Sequence, residues 1–178
     1  IQKRKAFRMN KIILVINGRG GAGKDTLCSF IAGKYPTMNV SSIDPIKKAA
    51  AILGWEGGKD NRSRKFLSDL KSLSAVYNDY PTTYLVEQYS EFLNSEYEVL
   101  FLHIREKEEI AHFIDAVGGN AETLLIRRNQ GIQAYGNYSD DYVEDYDYDF
   151  IYNNDKPLEE AEADFIAYFE DVIAARLQ

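Results

Sequence analysis

A glycine-rich segment near the amino end constrains the fold of this chain more than any other feature of its sequence. It spans Gly18–Thr26 (GRGGAGKDT), follows the apolar run Ile12–Ile16, and precedes a helix-like stretch that reaches Lys34. Glycines let several backbone N–H groups turn toward one anion, and the first turn of a helix adds partial positive charge. Lys24 adds a full charge. This order of strand, glycine loop, lysine and helix predicts a cradle for a polyphosphate.

Three interpretations of this segment remain open. The phosphate-loop pattern G-x-x-x-x-G-K matches at Gly18, Gly23 and Lys24. The dinucleotide fingerprint G-x-G-x-x-G also matches, with Gly20 as its second glycine, and Asp44 lies 21 residues beyond Gly23, where that fingerprint reserves an acid for a ribose hydroxyl. A turn that binds nothing is the third interpretation. Lys24 favours the phosphate loop, because the dinucleotide fingerprint needs only backbone amides there.

Composition indicates a globular chain. Its 178 residues are 45 % apolar, which suits one domain with a sizeable core. No apolar run approaches the ~20 residues that a membrane-spanning helix needs. The net charge of −7 argues against nucleic acid polymers and anionic membranes as partners. Cys28 is the single cysteine, so we expect a reducing, cytoplasmic location and a packed small side chain in the first helix.

The first eight residues contain four basic side chains and precede Met9. They lack the apolar centre of a secretion signal. We expect Met9 to be the native start, residues 1–8 to be a non-native remnant or a disordered arm, and residues 9–178 to form a single domain. A native basic arm is the alternative.

Hydrophobic patterning predicts an α/β fold in which strands and helices alternate. Strands are expected at residues 11–17, 38–43, 99–104, 123–127 and 149–153. Helices are expected at residues 24–34, 45–53, 60–77, 81–94, 107–117 and 157–177. Strands separated by helices imply a parallel sheet with helices on both faces. Two segments interrupt the alternation: a helical insertion at about 45–94 and a loop at about 129–147.

Further motifs follow the glycine segment in a characteristic order. They are GKDT at 23–26, DPIKKA at 44–49, RKFLSDL at 64–70, IRE at 104–106, LLIRR at 124–128 and DFIYNND at 149–155. With these motifs the chain resembles the nucleoside monophosphate kinase branch of the P-loop kinases, and it is similar to the bacteriophage-type deoxynucleoside monophosphate kinases. The resemblance implies a three-layer P-loop NTPase fold with a five-stranded parallel sheet, a helical acceptor-binding insertion and a lid loop. It also implies ATP and Mg²⁺ as cofactors and a small phosphorylated acceptor, a (deoxy)nucleoside monophosphate.

The donor side of the expected site is the glycine loop. We assign Lys24 to the β- and γ-phosphates. The backbone cradle is expected from Gly20, Gly21, Ala22, Gly23, Lys24, Asp25 and Thr26. Asp25 or Thr26 is expected to face Mg²⁺ or its waters, the alternatives being a helix cap and a satisfied hydroxyl. Asn154, in the turn after the last strand, is expected to contact the donor nucleotide.

Phosphoryl transfer requires charge compensation on both polyanions, so cations are expected on the acceptor side as well. The expected cations are Lys47, Arg62, Arg64, Arg105, Arg127 and Arg128. Arg64, with Arg62 second, and Arg105 are assigned to the acceptor phosphate, and one of the two arginines that end the fourth strand to the transferring group. The alternatives are a solvated charged face and, for Arg105, a surface ion pair with Glu109.

Several other residues carry expectations that depend on the tertiary structure. Asp44 either orients the acceptor or metal waters, or caps the helix that begins at the next residue. The resembling family places an acid at the end of the third strand, where this chain has His103, and Glu106 or Glu109 is the nearest substitute. The insertion also carries aromatic residues, for which we expect core packing rather than base stacking: Trp55, Tyr77, Tyr80 and Tyr84.

Other functions fit the sequence less closely. The acceptor could instead be phosphomevalonate or a coenzyme precursor, the glycine loop could serve an NAD(P)-dependent reductase, or the protein could be a regulatory nucleotide binder without turnover. The acidic, tyrosine-rich stretch Tyr138–Tyr152 is either a lid that self-repulsion keeps open or a solvated loop. The sequence does not predict an oligomeric state.

Overall fold

A five-stranded parallel sheet forms the centre of the computed structural model, which describes residues 11–129 and 143–177. The strands are β1 (Ile12–Asn17), β2 (Thr37–Ser41), β3 (Val99–His103), β4 (Glu122–Arg127) and β5 (Phe150–Asn153). They lie in the order β2-β3-β1-β4-β5, and every pair is parallel. The predicted α/β fold is confirmed. The expectations for residues 1–8 and Met9, and for most of the lid loop (130–142), fall outside the described residues.

Six helices connect and cover these strands in the described ranges. They are α1 (Lys24–Ala32), α2 (Asp44–Ile52), α3 (Asn61–Asn78), α4 (Tyr80–Leu93), α5 (Lys107–Ala116) and α6 (Leu158–Tyr168). A π-helical turn (Phe169–Ala174) and a last turn (Ala175–Leu177) extend α6. None of these helices has the length and apolar character that crossing a bilayer requires.

Each face of the sheet carries its own hydrophobic core. On one face Leu14 and Ile16 of β1 pack with Ile31 of α1 and with Phe165 of α6. On the other face a second cluster joins alternate strand residues to α4 and α5: Ile13, Val15, Leu85, Leu102 and Phe113. Because both faces are covered, the central strands β1, β3 and β4 are nearly unbroken apolar runs.

The closing helix differs from its predicted register. Spacings of three and four residues predict that Leu158 and Val172 face the sheet, yet both are exposed and Ile173 is fully buried. The π-helical turn that begins at Phe169 explains the shift from Val172 to Ile173, because it accommodates an extra residue per turn. Leu158 precedes this turn and is the first residue of α6.

The strand order separates two interpretations of the glycine loop. In the dinucleotide-binding Rossmann order 3-2-1-4-5-6, the second strand lies beside the first. Here β3 lies between β1 and β2, so Asp44, which follows β2, is two strands away from the glycine loop. This order disfavours the dinucleotide fingerprint. The connections from β1 and β3 leave in opposite directions, and the crevice between the carboxyl ends of such strands is where open α/β sheets bind ligands.

Helices α2, α3 and α4 form the predicted insertion between β2 and β3. No residue of α3 is buried, and Val76 and Tyr77 are 88 % and 87 % exposed. The expectation that Tyr77 packs in the core is therefore wrong, and Tyr80 is also exposed. The reason is that α3 packs against the neighbouring helices α2 and α4 rather than directly on the sheet. Tyr84, by contrast, packs against the second core cluster.

Candidate active site

The loop after β1 lies close to two other strand ends. Gly23 caps α1 in the left-handed conformation, with φ 91°, and a Cβ added there would lie 2.5 Å from Nδ2 of Asn154. A Cβ on Gly18, at φ 152°, would lie 2.5 Å from the carbonyl oxygen of Ile126. Both the backbone angles and the close contacts require glycine at these positions. The loop is thus fixed against β4 and the segment after β5.

Lys24 begins α1, and its side chain folds back onto the loop. Its Nζ donates hydrogen bonds to the carbonyl oxygens of Gly18 and, at 3.1 Å, Arg19. Arg19 and Arg127 each bury a guanidinium Nε that has no hydrogen-bond partner among the described residues. Buried donors without partners are rare in folded proteins, and an ordered water, an ion or a ligand usually completes their bonding.

Asn154 supports the loop from the carboxyl end of the sheet. It is buried, and its side-chain Nδ2 donates a hydrogen bond to the carbonyl oxygen of Ala22 at 2.9 Å. Its backbone N–H donates to the carbonyl oxygen of Arg127 at 2.7 Å. The side-chain amide therefore holds the loop in place. The expected contact of Asn154 with a donor nucleotide stays a prediction.

A cleft of about 190 Å³ adjoins the start of α1. Its lining residues are Gly23, Thr26, Leu27, Phe30, Arg128, Asn154, Lys156, Leu158 and Ala161. Leu27, Phe30 and Leu158 supply apolar surface, while Arg128 and Lys156 supply cations. Apolar walls with a few polar groups suit a flat heteroaromatic ring, and a guanidinium can stack on such a ring.

Asp25 and His103 meet at the opposite side of α1. The Asp25 side chain is 98 % exposed, and its Oδ1 lies 3.9 Å from Nδ1 of His103 at the end of β3. Burial lowers the pKa of His103, so the imidazole is neutral at pH 7. Its Nε2 lies 4.0 Å from Sγ of Cys28, a buried thiol whose pKa burial raises. The expectation that Cys28 is a packed small side chain is confirmed.

These residues fit Mg²⁺ only as an ion shared with a nucleotide. In the described ranges, no group of three or more His, Cys, Asp or Glu residues could hold a metal ion. Mg²⁺ in phosphate-transfer sites is usually bound by one or two carboxylates together with substrate phosphates. The exposed carboxylate of Asp25 and the adjacent, exposed Thr26 match that donor set.

The expected acceptor residues at the start of the insertion differ in exposure: Asp44 is half-buried and Lys47 is exposed. Asp44 is the first residue of α2, and its Oδ2 accepts a hydrogen bond from the backbone N–H of Ser41 at 2.8 Å. Asp44 therefore fixes the end of β2 and does not cap the helix that follows it. Lys47 is exposed on α2.

Arg62 and Arg64 are exposed in the first turn of α3, next to its amino end. The cap of this helix is Asp60, whose Oδ1 accepts from the backbone N–H of Ser63 at 3.0 Å. Two cations near the positive end of a helix dipole are unfavourable unless an anion compensates them. Their position is therefore consistent with an anionic ligand.

The remaining arginines follow the strand ends. Arg105 is exposed two residues after β3. Arg127 ends β4, and its Nη2 lies 3.1 Å from Oε2 of Glu144, in the acidic segment after residue 142. Arg128 lines the cleft. Because parallel strands share one carboxyl edge, Lys24 and these three arginines all belong to the edge that carries the glycine loop.

Glu106 and Glu109 are bound to a lysine of the insertion. Nζ of Lys71 lies 2.9 Å from Oε2 of Glu106 and 2.6 Å from Oε2 of Glu109. Burial is the main cause that raises the pKa of Glu109, to about 7. Both carboxylates thus pair with Lys71, and the metal role considered for Glu106 or Glu109 stays a prediction.

The sequence analysis did not identify Asn17, although it joins three parts of the site. Its Oδ1 accepts from the N–H of Gly18 at 2.8 Å, and its Nδ2 donates to the carbonyl oxygen of Arg105 and to the hydroxyl of Tyr148, both at 2.9 Å. The side chain is buried. The available signal was a single amide that ends an otherwise apolar strand, directly before the first glycine of the loop.

Removing the Tyr148 hydroxyl should weaken this junction. The hydroxyl accepts from Asn17 and donates to the carbonyl oxygen of Val143 at 2.8 Å, both in buried positions. Tyr148→Phe should therefore lower the free energy of unfolding by about 1–2 kcal/mol in urea denaturation. Tyr146→Phe is the matched control. The ring of Tyr146 contacts that of Tyr148 edge-on, with 5.2 Å between the ring centroids, and the substitution retains this ring. Equal losses for the two variants would contradict the assigned bonding.

Comparisons with known proteins identify the architecture. No protein-family model matches the chain, and no curated protein sequence matches it significantly. Solved structures do match. The thymidylate kinase from Candida albicans is 12 % identical, with a TM-score of 0.51, over 93 % of this chain and 93 % of that one. A sugar kinase from Janibacter sp. HTCC2649 is 11 % identical, with a TM-score of 0.52, over 93 % of this chain and 97 % of that one. The chain has a P-loop kinase fold.

In a P-loop kinase fold, the segments described above occupy one edge of the sheet. The loop after β1, the arginine-bearing ends of β3 and β4, and the turn after β5 all open on the same side. At these levels of identity the likeness concerns architecture, so the chemistry has to be argued from the residues themselves.

Proposed function

We propose that this protein is a kinase that transfers the γ-phosphoryl group of ATP to a small phosphorylated acceptor, a (deoxy)nucleoside monophosphate. One observation carries the proposal: the left-handed Gly23 and the back-folded Lys24 form a compact loop at the carboxyl edge, with two orphaned guanidinium nitrogens nearby. Backbone amides, an ammonium group and arginines together suit a polyphosphate. We place the enzyme in the cytoplasm, in keeping with its single buried thiol.

The donor side would use groups already held in place. Loop amides from Gly20 to Thr26 would bind the phosphates, with that of Ala22 first leaving the carbonyl oxygen of Arg19, to which it donates at 3.1 Å. Lys24 would exchange its bonds with the carbonyl oxygens of Gly18 and Arg19 for bonds to phosphate oxygens. The cleft beside Arg128 would take the base. Because the loop is fixed by its glycine contacts, little reorganisation would accompany binding.

The acceptor side would rely on cations rather than on a general base. A phosphate monoester has a second pKa of about 6 and is largely ionised at neutral pH, so no side chain has to remove a proton from it. Arg62, Arg64 and Arg105 would bind the acceptor phosphate, with Lys47 and Asp44 near the acceptor, and Arg127 or Arg128 would compensate charge on the transferring group. Mg²⁺, held by Asp25 and Thr26 with the nucleotide, would neutralise charge on the donor phosphates.

The alternatives make different predictions in one assay. Purified protein is mixed with ATP and Mg²⁺, challenged with a panel of nucleoside monophosphates and other phosphorylated small molecules, and scored for ADP release. Acceptor-dependent ADP release with a nucleoside monophosphate is the expected result. Release only with phosphomevalonate or a coenzyme precursor would change the acceptor class. ATP binding without release would indicate a regulatory binder, and NADPH binding without ATP binding would overturn the proposal.

Arg64→Ala should weaken acceptor use specifically. Loss of one charge-assisted contact to a phosphate costs about 1.5–3 kcal/mol, which corresponds to a roughly 10–100-fold rise in KM for the acceptor, while KM for ATP should stay within about twofold. Lys65→Ala is the matched control, because Lys65 is exposed on the same turn and pairs with Asp69 at 2.8 Å. Steady-state kinetics with each substrate varied measure both effects. Equal changes in the two KM values would contradict the assignment.

A further inference from the structure

The Lys71 cluster, formed by Lys71, Glu106 and Glu109, links the insertion to the carboxyl edge of the sheet. Lys71 lies in the middle of α3, Glu106 precedes α5, and Glu109 lies in the first turn of α5. The side chains of Lys71 and Glu109 are only 16 % and 11 % exposed. The cluster is thus a largely buried ionic contact between two elements that are distant in sequence.

Hydrophobic packing is only part of what holds α3 in place. The helix has no buried residue, and Leu73, Val76 and Tyr77 on it are exposed. The side chain of Lys71 nevertheless extends from the helix to the carboxylates of Glu106 and Glu109, which follow β3 at the sheet edge. The orientation of α3 toward β3 therefore depends on this ionic contact as well as on the packing of α3 against α2 and α4.

The cluster adjoins an arginine that we assign to the acceptor. Arg105 directly precedes Glu106, and its own carbonyl oxygen accepts from Asn17 at 2.9 Å. The Arg105 carbonyl oxygen is consequently held by Asn17 of β1, and the side chain of the next residue, Glu106, is held by Lys71. Lys71 is also seven residues, about two helical turns, from Arg64 on α3.

We propose that Lys71 is a positioning residue that fixes the insertion helix carrying Arg62 and Arg64 relative to the loop carrying Arg105. The acceptor phosphate would then meet cations from two elements in one set geometry. This inference rests on the proposed kinase function, because it assigns those arginines to the acceptor.

The energetics of the cluster support positioning over stability. Taking charges out of water often costs more than their attraction returns, so an apolar replacement of similar volume is frequently as stable or more stable. One carboxylate oxygen, Oε1 of Glu109, is buried without a hydrogen-bond partner among the described residues, which adds to the cost. A contact with this cost is better explained by the geometry it imposes than by stabilisation.

The test uses three variants of the full chain. Lys71→Met removes the ammonium group, Lys71→Arg keeps a cation, and the triple variant Lys71→Met/Glu106→Gln/Glu109→Gln removes every charge of the cluster. Lys71→Met alone leaves buried carboxylates unpaired and is expected to be destabilised, so the triple variant separates that cost from the loss of positioning. Thermal unfolding reports which variants recover wild-type stability.

Kinetics with the acceptor identified in the panel assay give the main readout. We expect Lys71→Met and the triple variant to lose about 10–100-fold in kcat/KM for the acceptor, with KM for ATP within about twofold of wild type, and Lys71→Arg to retain most activity. A triple variant that regains both stability and acceptor kinetics would show that the cluster is structural only. Equal losses in kcat/KM for ATP and for the acceptor would lead to the same conclusion.

Hydrogen–deuterium exchange across α3 tests the inference without turnover. The amides of Asn61–Asn78 should exchange at least about tenfold faster in Lys71→Met and in the triple variant, and at the wild-type rate in Lys71→Arg. If wild-type protein shows no turnover with any acceptor, the proposed function fails, while the exchange rates still decide whether Lys71 holds α3. Unchanged exchange in the triple variant would overturn the inference by itself.

Discussion

Lys24→Ala is expected to reduce kcat for ADP formation by about 10²–10³-fold, the range seen when one preorganised charge or donor is removed from a transition-state site. The Nζ of Lys24 lies on the loop, where it contacts the carbonyl oxygens of Gly18 and Arg19. The same contacts are only partly buried, so the fold should tolerate the change. Coupled-assay kinetics and thermal unfolding measure the two effects separately.

Lys34→Ala is the matched control for this substitution. Lys34 follows the same helix, is half-exposed, and pairs with Glu170 away from the glycine loop. We expect its kcat to stay within about twofold of wild type, because exposed ion pairs contribute about 0–1 kcal/mol. Unchanged turnover in Lys24→Ala would refute the role assigned to the lysine, and unfolding of that variant would show that its bonds to the loop are structural.

Gly23→Ala is expected to have the largest effect on stability. A side chain in the left-handed region costs about 1–2 kcal/mol, and here the new Cβ would lie 2.5 Å from Nδ2 of Asn154. Displacing Asn154 would also break its bond to the carbonyl oxygen of Ala22, at about another 1 kcal/mol. The free energy of unfolding should fall by about 2–4 kcal/mol in urea denaturation, with binding of a non-hydrolysable ATP analogue lost in calorimetry.

Gly54→Ala separates backbone strain from the contact with Asn154. Gly54 has φ 92°, against 91° for Gly23, but no atom lies within 4 Å of its added Cβ. The free energy of unfolding should therefore fall only by the cost of the left-handed backbone, about 1–2 kcal/mol, and nucleotide binding should be retained. If both variants lose the same stability and both bind the analogue, Asn154 does not support the loop in the way the structure indicates.

Several features of the site were accessible from the sequence. The glycine loop, Lys24 and the start of α3 beside Arg62 and Arg64 all lie where local signals predict them, because each depends on turn chemistry and helix starts within a few residues. Strand and helix bounds agree with the prediction to within two residues, except that the helix predicted at residues 157–177 becomes π-helical after Tyr168. The three-layer arrangement followed from the alternation of strands and helices.

Other features depend on contacts between distant residues. Asn17 and Tyr148 are 131 residues apart, and no local pattern indicates that they bond. In the sequence Lys71 is one more charge on an amphipathic helix, yet it binds the carboxylates of Glu106, before α5, and Glu109, in the first turn of α5. Tyr77 reads as a core residue, because its spacing does not reveal that α3 rests on other helices instead of on the sheet.

The sequence by itself determined that a strand, a glycine loop, a lysine and a helix follow one another, since backbone freedom and charge are local properties of the chain. It favoured a phosphate loop through Lys24 but did not exclude a dinucleotide fingerprint, because both use Gly18 and Gly23. The tertiary structure favoured the first by inserting β3 between β1 and β2, which moves Asp44 away from the loop and brings Arg105 beside it. Strand order is set by how helices pack on both faces of the sheet. This packing depends on contacts between residues that are distant in sequence, so no short segment predicts it.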